Sequence, residues 1–278
     1  MPFTLYLVGT PIGNLSDVSE RARRTLADVA VIAAEDTRRT GRLLASLDIE
    51  SGGRLVSFFD ANEDTRIPRL LERLRSGDDV ALVSDGGMPA IADPGYRLVR
   101  ACVQAGITVD VVPGPSAAVA ALVISGLPTD RFVFEGFLPR AGTARAARVR
   151  ALAEESRTAV VFESPRRVAS TLRELAAALG PRQVAVVREL TKLHQEIVRG
   201  SLSEVAASFG ERGVRGEVVL VIEGAPGPAR GSGDLGRAVE LAAALAAGGA
   251  RKRDAAREAA RTTGVPAGRI YQELVGRA

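Results

Sequence analysis

Short apolar runs alternate with amphipathic stretches along the first half of this 278-residue chain. The runs at 5–8, 29–34, 80–83 and 109–112 have the length and composition of buried strands. Leu70 and Leu74 show helical spacing, and residues 96–104 are amphipathic. Asp17 and Glu20 together form a helix start signal. This alternation predicts an α/β fold with a mainly parallel sheet that helices cover on both faces.

A second series of strands and helices follows the glycine- and proline-rich segment 113–128. The patterns predict strands at 132–137, 158–162, 183–188 and 218–222 and helices at 142–155, 165–179 and 201–209. Residues 225–233 have the composition of a flexible linker. Helical patterns follow at 234–247, 252–262 and 267–275, the last two joined by a glycine turn as in a helix-turn-helix element. We therefore predict an N-terminal α/β domain (1–114), a second α/β domain (115–225) and a linker with a basic helical module (226–278).

Composition narrows the chemistry. The apolar fraction of 46% is enough for substantial cores. Cys102 is the only cysteine and His194 the only histidine, which excludes an intramolecular disulfide, a cysteine-cluster zinc site and most Ser-His-Asp schemes. We predict no metal site, although clustered carboxylates leave a bridging Mg²⁺ open. No apolar run approaches a membrane span, and we expect a cytoplasmic enzyme without a membrane partner.

The basic charge is concentrated at the C-terminal end. Residues 251–278 contain seven arginines and lysines and three acids. The net charge of this segment, +4, equals that of the whole chain. A basic module on a nearly neutral body favours a polyanion as partner. The alternative is a solvated helix surface.

The segment 84–95 follows an apolar strand and precedes a helical stretch. Small ligands bind at the carboxyl ends of strands in open α/β sheets, and glycine lets the backbone approach a ligand closely. The segment has no lysine and hence no P-loop. Its backbone groups and carboxylates suit a ligand that has an ammonium group and a nucleoside. The alternative is that the segment is an ordinary tight connection between a strand and a helix.

Seven motifs in order carry a resemblance to a known family. They are 8–15 (VGTPIGNL), 35–38 (EDTR), the 84–95 loop, 113–117 (PGPSA), 134–139 (FEGFLP), 162–167 (FESPRR) and 188–192 (RELTK). Together they resemble the tetrapyrrole-methylase superfamily and, within it, the bacterial small-subunit ribosomal RNA cytidine 2′-O-methyltransferases.

The resemblance implies a two-domain tetrapyrrole-methylase-like fold with the ligand cleft between the domains. It also implies S-adenosylmethionine as cofactor and a homodimer. The implied partner is small-subunit ribosomal RNA or the 30S subunit, with a cytidine ribose in the decoding region as acceptor. The fold is not the common Rossmann-like methyltransferase fold.

The resemblance assigns donor binding to the loops after the strands. The residues are Pro11, Asp85, Gly86, Met88, Pro89, Ser116, Ala117, Phe162 and Glu217. Each assignment has an ordinary structural alternative. Asp85 could be a cap or turn residue and Ser116 a helix cap. Phe162 could be a core aromatic, and Glu217 could simply stand at the entry to a strand.

Carboxylates and an amide are the candidates for catalysis. Glu35 and Asp36 follow a strand and can supply a base for a ribose hydroxyl, or they can cap the next helix. Asn14 can bind the ribose or base, or serve as a turn residue. Glu189 and Lys192 are further candidates in the second domain, and His194 is assigned no role.

Arginines and lysines are the expected RNA contacts. They are Arg38, Arg166, Arg167, Arg251, Lys252, Arg253, Arg257 and Arg261. Such contacts position the substrate without reading its sequence.

Three positions depart from the family pattern. Met88 replaces Thr, Ala92 replaces Ser and Arg166 replaces His; Met88 is typical of tetrapyrrole enzymes. A tetrapyrrole C-methyltransferase and a non-catalytic RNA-binding assembly factor therefore remain as alternatives. The basic tail argues against the first, and the 84–95 loop argues against the second.

Overall fold

The computed structural model describes residues 3–210, 214–226 and 235–276. The chain divides into two units, Met1–Glu223 and Gly224–Ala278. None of the helices in these ranges has the length and apolarity that crossing a membrane requires.

The first sheet of the larger unit is parallel throughout, as predicted for this half. Its strands are β1 (Thr4–Val8), β2 (Val31–Ala34), β3 (Leu55–Ser57), β4 (Val80–Val83) and β5 (Thr108–Val112). Their spatial order is β3-β2-β4-β1-β5. Every residue of β2 and β4 is buried, because central parallel strands are covered on both faces.

Helices cover both faces of this sheet. They are α1 (Glu20–Asp28), α2 (Thr37–Ser46), α3 (Glu63–Ser76) and α4 (Tyr96–Gln104). Leu26 and Leu44 pack into one core, and Leu74 and Leu98 pack into another. The two cores take alternate residues of the strands, so they lie on opposite faces.

The start of α1 differs from the prediction. Ser19 is the N-cap, and its hydroxyl accepts a hydrogen bond from the Ala22 N–H at 3.0 Å. Asp17 lies in a separate 3-10 turn, Leu15–Asp17, so its assignment as the start signal was wrong. A serine hydroxyl at this position satisfies a free N–H of the first turn as well as a carboxylate does.

The second sheet is mixed. After α5 (Ala117–Ser125) come β6 (Phe132–Phe137), β7 (Thr158–Glu163), β8 (Gln183–Arg188), β9 (Glu196–Ser201) and β10 (Val218–Ile222). The order is β6-β7-β10-β8-β9, with β6 and β7 parallel and β10 antiparallel to both its neighbours. The helices α6 (Gly142–Glu154), α7 (Val168–Leu179) and α8 (Leu202–Phe209) pack on one face and α5 packs on the other.

The smaller unit is helical. Its described elements are α9 (Leu235–Ala247), α10 (Lys252–Thr263) and α11 (Ala267–Gly276). Gly264, with φ 72°, ends α10 in the left-handed conformation before the turn into α11, in agreement with the predicted helix–turn–helix pattern. Residues 227–234 of the predicted linker and helix start lie outside the described residues.

Candidate active site

A cleft of about 590 Å³ lies where the carboxyl ends of the first sheet face the second sheet. The loops after β1, β2 and β4, which are neighbours in the first sheet, form one wall. The other wall comes from the ends of β6 and β7, the turn after β8 and the start of β10. The start of α5 also lines it. A cleft of this size is typical of a small-molecule site.

Close backbone contacts hold the loops of the first wall together. Thr10 and Gly87 exchange two backbone hydrogen bonds, of 2.9 and 3.0 Å. A Cβ atom on Gly9 would lie 2.7 Å from the Gly114 backbone and from Met88 Sδ. Glycine is therefore required where the β1 turn meets the segment that begins α5.

The 84–95 loop carries backbone strain. Ala90 and Ala92 have φ values of 66° and 61°, a region that side chains with a Cβ seldom occupy. The loop is anchored at its end, where the Gly95 N–H donates to the buried Glu63 carboxylate at 2.9 Å. Strained backbone of this kind persists where the surroundings over-determine it, often at functional sites.

Three carboxylates line the first wall. The Asp85 N–H donates to Glu35 Oε2 at 3.2 Å, and Arg39 forms a 3.1 Å ion pair with Asp85. Burial raises the pKa of Glu35 above its usual value. Burial, and next the charge of Glu35, raises the pKa of Asp93 to about 6. Glu35 and Asp93 therefore accept protons more readily than free carboxyl groups do.

Asp36 and Asn14 act as caps in the structure. The Asp36 carboxylate caps α2 by accepting from the Arg38 N–H at 2.8 Å, and it pairs with the Arg38 guanidinium at 3.0 Å. Hydrogen bonds from Arg38 lower the pKa of Asp36 to about 2. Asn14 accepts from the Ser16 N–H at 3.1 Å. Of the predicted catalytic residues, only Glu35 is among the described residues that line the cleft. Asp36 and Asn14 are helix N-caps, each directly after a lining residue in the chain.

Most predicted donor residues do meet in the cleft. Its lining includes Pro11, Asp85, Gly86, Met88, Ser116, Ala117, Phe162 and Glu217. Pro89 is not among the described lining residues.

The second wall is built on three phenylalanines and a buried glutamate. The Phe162 ring lies edge-on to Phe134 at 4.9 Å and to Phe137 at 5.6 Å. Glu163, with 2% exposure, accepts from Arg167 Nε at 2.8 Å and from Thr171 Oγ1 at 2.7 Å. Arg167 thus neutralises a buried carboxylate.

Lys192 enters the second wall between two glutamates. Its Nζ lies 3.0 Å from Glu189 Oε1 and 3.3 Å from Glu217 Oε2. Burial works against the charged amine, but the hydrogen bond with Glu189 and the charge of Glu217 raise the pKa of Lys192 overall. The hydrogen bond with Lys192 lowers the pKa of Glu189. Both partners are therefore ionised at neutral pH.

The remaining predicted RNA contacts are exposed. Arg38 lies on α2 and Arg166 follows β7. The others, at the start of α10 or on it, are Arg251, Lys252, Arg253, Arg257 and Arg261. Arg257 pairs with Asp254 at 3.7 Å and Arg261 with Glu258 at 3.0 Å, in exposed pairs that contribute little stability.

Sequence reasoning missed several lining residues, among them Ile91, Asp93, Phe137 and Glu163. Each lies inside or beside one of the seven motifs, which is the signal that could have found them. Among the described residues, no group of three histidine, cysteine or acidic side chains could hold a metal ion.

Known proteins resemble this chain over nearly its whole length. The profile of the tetrapyrrole (corrin/porphyrin) methylases matches residues 4–206. Ribosomal RNA small subunit methyltransferase I of Mycobacterium tuberculosis is 49% identical over 273 residues, which are 98% of this chain and 94% of that protein. The enzyme of the same name from Thermotoga maritima is 49% identical over 220 residues, or 79% of this chain and 98% of that protein.

The chain belongs to the tetrapyrrole methylase family, in its ribosomal RNA small subunit methyltransferase I branch. A cobalt precorrin-4 methyltransferase shares the fold, with a TM-score of 0.62 at 19% identity over 79% of this chain and 94% of that one. The predicted fold class and family are therefore confirmed.

Because it belongs to this family, the protein is a methyltransferase that uses S-adenosylmethionine as cofactor. The site fits that molecule. The Asp85 carboxylate of the first wall can attract the positively charged ammonium group of such a donor, and the Phe162 ring can pack against an adenine.

Proposed function

We propose that this methylase methylates the 2′-oxygen of a cytidine ribose in the decoding region of small-subunit ribosomal RNA. The observation that carries the proposal is the 49% identity with the Mycobacterium tuberculosis ribosomal RNA small subunit methyltransferase I over 98% of the chain. The carboxyl-rich cleft supports it, because a ribose hydroxyl needs a nearby proton acceptor to become a good nucleophile.

The first wall and α5 hold the donor in this proposal. Asp85 and the backbone of Gly86 bind the methionine end, and Pro11 and Met88 border it. The small side chains of Ser116 and Ala117 leave room for the adenosine, with Phe162 and Glu217 on the opposite side. S-adenosylmethionine supplies a methyl group that is already activated as a sulfonium, so the protein chiefly positions the reactants.

Glu35 is our choice of proton acceptor. As the ribose oxygen takes the methyl group, its proton passes to the Glu35 carboxylate. The raised pKa of Glu35 suits that task, since a base works best when its pKa lies near the working pH. Asp36 and Asn14 support the reaction from their capping positions by holding α2 and the β1 turn.

The basic side chains position the RNA. We assign phosphate contacts to Arg38 and Arg166 on the larger unit and to the arginines and Lys252 of the α10 segment. Arg167 is the weakest of the predicted contacts, because its guanidinium already bonds Glu163 and the Leu138 carbonyl.

A second copy of the chain completes the proposed assembly, and we place it in the cytoplasm with the ribosomal subunits. Support for a homodimer comes from Val111 on the edge strand β5 and from Val119 and Val123 on α5, which are all exposed. Isolated exposed valines are ordinary, but Val119 and Val123 lie one helical turn apart on the same face of α5, which fits an interface. Val123→Glu should shift the sedimentation of the protein to that of a monomer.

A tetrapyrrole C-methyltransferase is the second candidate, because Met88 lines the cleft and a precorrin methyltransferase shares the fold. That function would not explain the exposed arginines and lysine of α10, since a tetrapyrrole substrate does not need a basic surface there. A non-catalytic assembly factor would have no need of a donor cleft.

The deciding experiment measures transfer of labelled methyl groups from S-adenosylmethionine to purified, unmodified small subunits, followed by mapping of the product. Label on the ribose of a single cytidine is the expected result. Transfer to a tetrapyrrole and none to subunits or free ribosomal RNA would overturn the proposal. Donor binding without any transfer would favour the assembly factor.

A further inference from the structure

The strand β6 contains a bulge just before it reaches the cleft. β6 and β7 pair in parallel, with Phe134 opposite Val160 and Phe137 opposite Phe162. Three steps along β6 therefore match two steps along β7. The shift falls between Phe134 and Gly136, and Gly136 has a positive φ of 61°, a conformation that one class of bulge assigns to glycine.

The bulge decides which way Phe137 faces. Side chains alternate between the two faces of a strand, so residues three positions apart in a regular strand point to opposite faces. The extra residue restores Phe137 to the face of Phe134, where both rings contact Phe162. Without the bulge, Phe137 would leave the cleft. Bulges beside active sites often re-aim a side chain in this way.

Phe137 remains open to solvent although it lines a cleft. Its exposed fraction is 56%, whereas Phe162 is only partly exposed. The edge-on contact with Phe162 fixes the ring and leaves much of its surface accessible. Ile91, from the strained loop of the other wall, also lines the cleft and is 48% exposed. Two large apolar side chains in water favour an apolar, flat ligand between the walls.

The strand order separates this surface from the donor. The proposed donor residue Phe162 lies on β7, directly opposite Val219 of β10, and Glu217 precedes that strand. Phe137 lies on β6, at the edge of the sheet and one strand farther from β10. A molecule that extends from the donor side towards that edge passes Phe162 first and Phe137 second.

We propose that Phe137 is the stacking platform for the base of the nucleotide that is methylated. The inference rests on the proposed RNA substrate and adds a specificity residue to it. Enzymes that act on a base inside a duplex withdraw it from its stack, and unstacked RNA bases commonly stack on aromatic side chains of the protein that binds them. Ile91 covers the base from the first wall.

The test compares variants of the full chain on small subunits. Phe137→Ala should lower kcat/KM for subunits about 10- to 100-fold, as expected for loss of one base–aromatic stack. Phe137→Tyr, which keeps the ring, should stay within about threefold of the unsubstituted enzyme. The affinity for S-adenosylmethionine, measured by calorimetry, should not change in either variant.

Phe132→Ala is the matched control. Phe132 begins the same strand, is 39% exposed and is not among the described residues that line the cleft. Its replacement should leave both kcat/KM and donor affinity unchanged. If it lowers kcat/KM as much as Phe137→Ala does, disturbance of β6 explains the loss and the proposal is wrong.

Subunits rebuilt with an abasic acceptor nucleotide give the sharper test. Without a base to stack, the unsubstituted enzyme and Phe137→Ala should have the same kcat/KM. A loss that persists on the abasic substrate, or a tenfold loss of donor affinity, would overturn the assignment. If the unsubstituted enzyme methylates ordinary subunits, the proposed function stands whether or not Phe137 proves to be the stacking residue. If the unsubstituted enzyme transfers no methyl group to ordinary subunits, both proposals are wrong.

Discussion

Both walls of the cleft carry carboxylates, and the two sets differ in what neutralises them. In the first wall, burial raises the pKa of Glu35 and of Asp93. The arginine of this wall, Arg39, forms its ion pair with Asp85 and not with either of these two acids. In the second wall, Arg167 is paired with Glu163 and Lys192 with Glu189. Acids that line one cleft can therefore serve different purposes. Glu35 and Asp93 of the first wall are ready to take up a proton, whereas Glu163 and Glu189 of the second wall are held in ion pairs.

The largest effect should come from Glu35→Gln. The amide keeps an oxygen that can accept the Asp85 N–H but cannot take up the proton, so the single-turnover methylation rate should fall about 10²- to 10⁴-fold. Donor affinity should change little. Glu189→Gln in the other wall is the comparison variant, and an equal loss there would break the proposed division between the walls.

Glu163→Ala should unfold more readily than any substitution in the first wall. Its removal leaves Arg167 and the Thr171 hydroxyl without their buried partner, at a cost of about 3–5 kcal/mol in the free energy of unfolding. Urea denaturation measures it. Glu163→Gln, which keeps an acceptor, should lose less. Equal stability of Glu163→Ala and the unsubstituted protein would show that the buried pair does not hold this wall.

Asp93→Asn should stabilise the protein, but only above the pH at which Asp93 ionises. The pKa of Asp93 is raised to about 6, so the native state binds its proton more tightly than the unfolded chain does. The stability that this carboxyl contributes is full below about pH 4 and is lost as the pH rises through about 6. Because the group is only partly buried, we expect a gain of about 1–2 kcal/mol at pH 7 and none at pH 4. Thermal unfolding at the two values checks the sign.

The smallest effect should come from Arg257→Ala combined with Arg261→Ala on α10. If both arginines contact phosphates, RNA affinity should fall and the slope of log K against log salt should decrease by about 0.7 per lost contact to single-stranded RNA. Arg69→Ala, an exposed arginine of α3, is the control. An unchanged slope would show that these arginines of α10 do not contact the RNA. The RNA would then be bound by the larger unit alone.

The order of strands and helices was predictable from local patterns, except for two of the four edge strands. β3 (Leu55–Ser57) and β9 (Glu196–Ser201) lie at the edges of their sheets and were not predicted. Their residues are only partly buried, so they lack the continuous apolar run that marks the fully buried strands β2 and β4.

The candidate site was predictable as far as its loops. The loops after β1 and β4 do meet, and Asp85, Met88 and Ser116 line one cleft. Which acid of the pair Glu35 and Asp36 faces that cleft was not predictable. Both follow β2, and only the way α2 begins turns Asp36 into a cap.

The sequence alone was enough to predict the family, the strand–helix alternation and the loops that line the cleft, because these depend on short-range periodicity and on motifs that can be read in order. Tertiary structure decided the chemistry of individual side chains. Glu35 and Asp85 are 50 positions apart in the chain, and Phe137 reaches the cleft only through a bulge in its strand. The burial of a side chain, its hydrogen-bond partners and the direction in which it points depend on neighbours in space, which the local sequence does not specify.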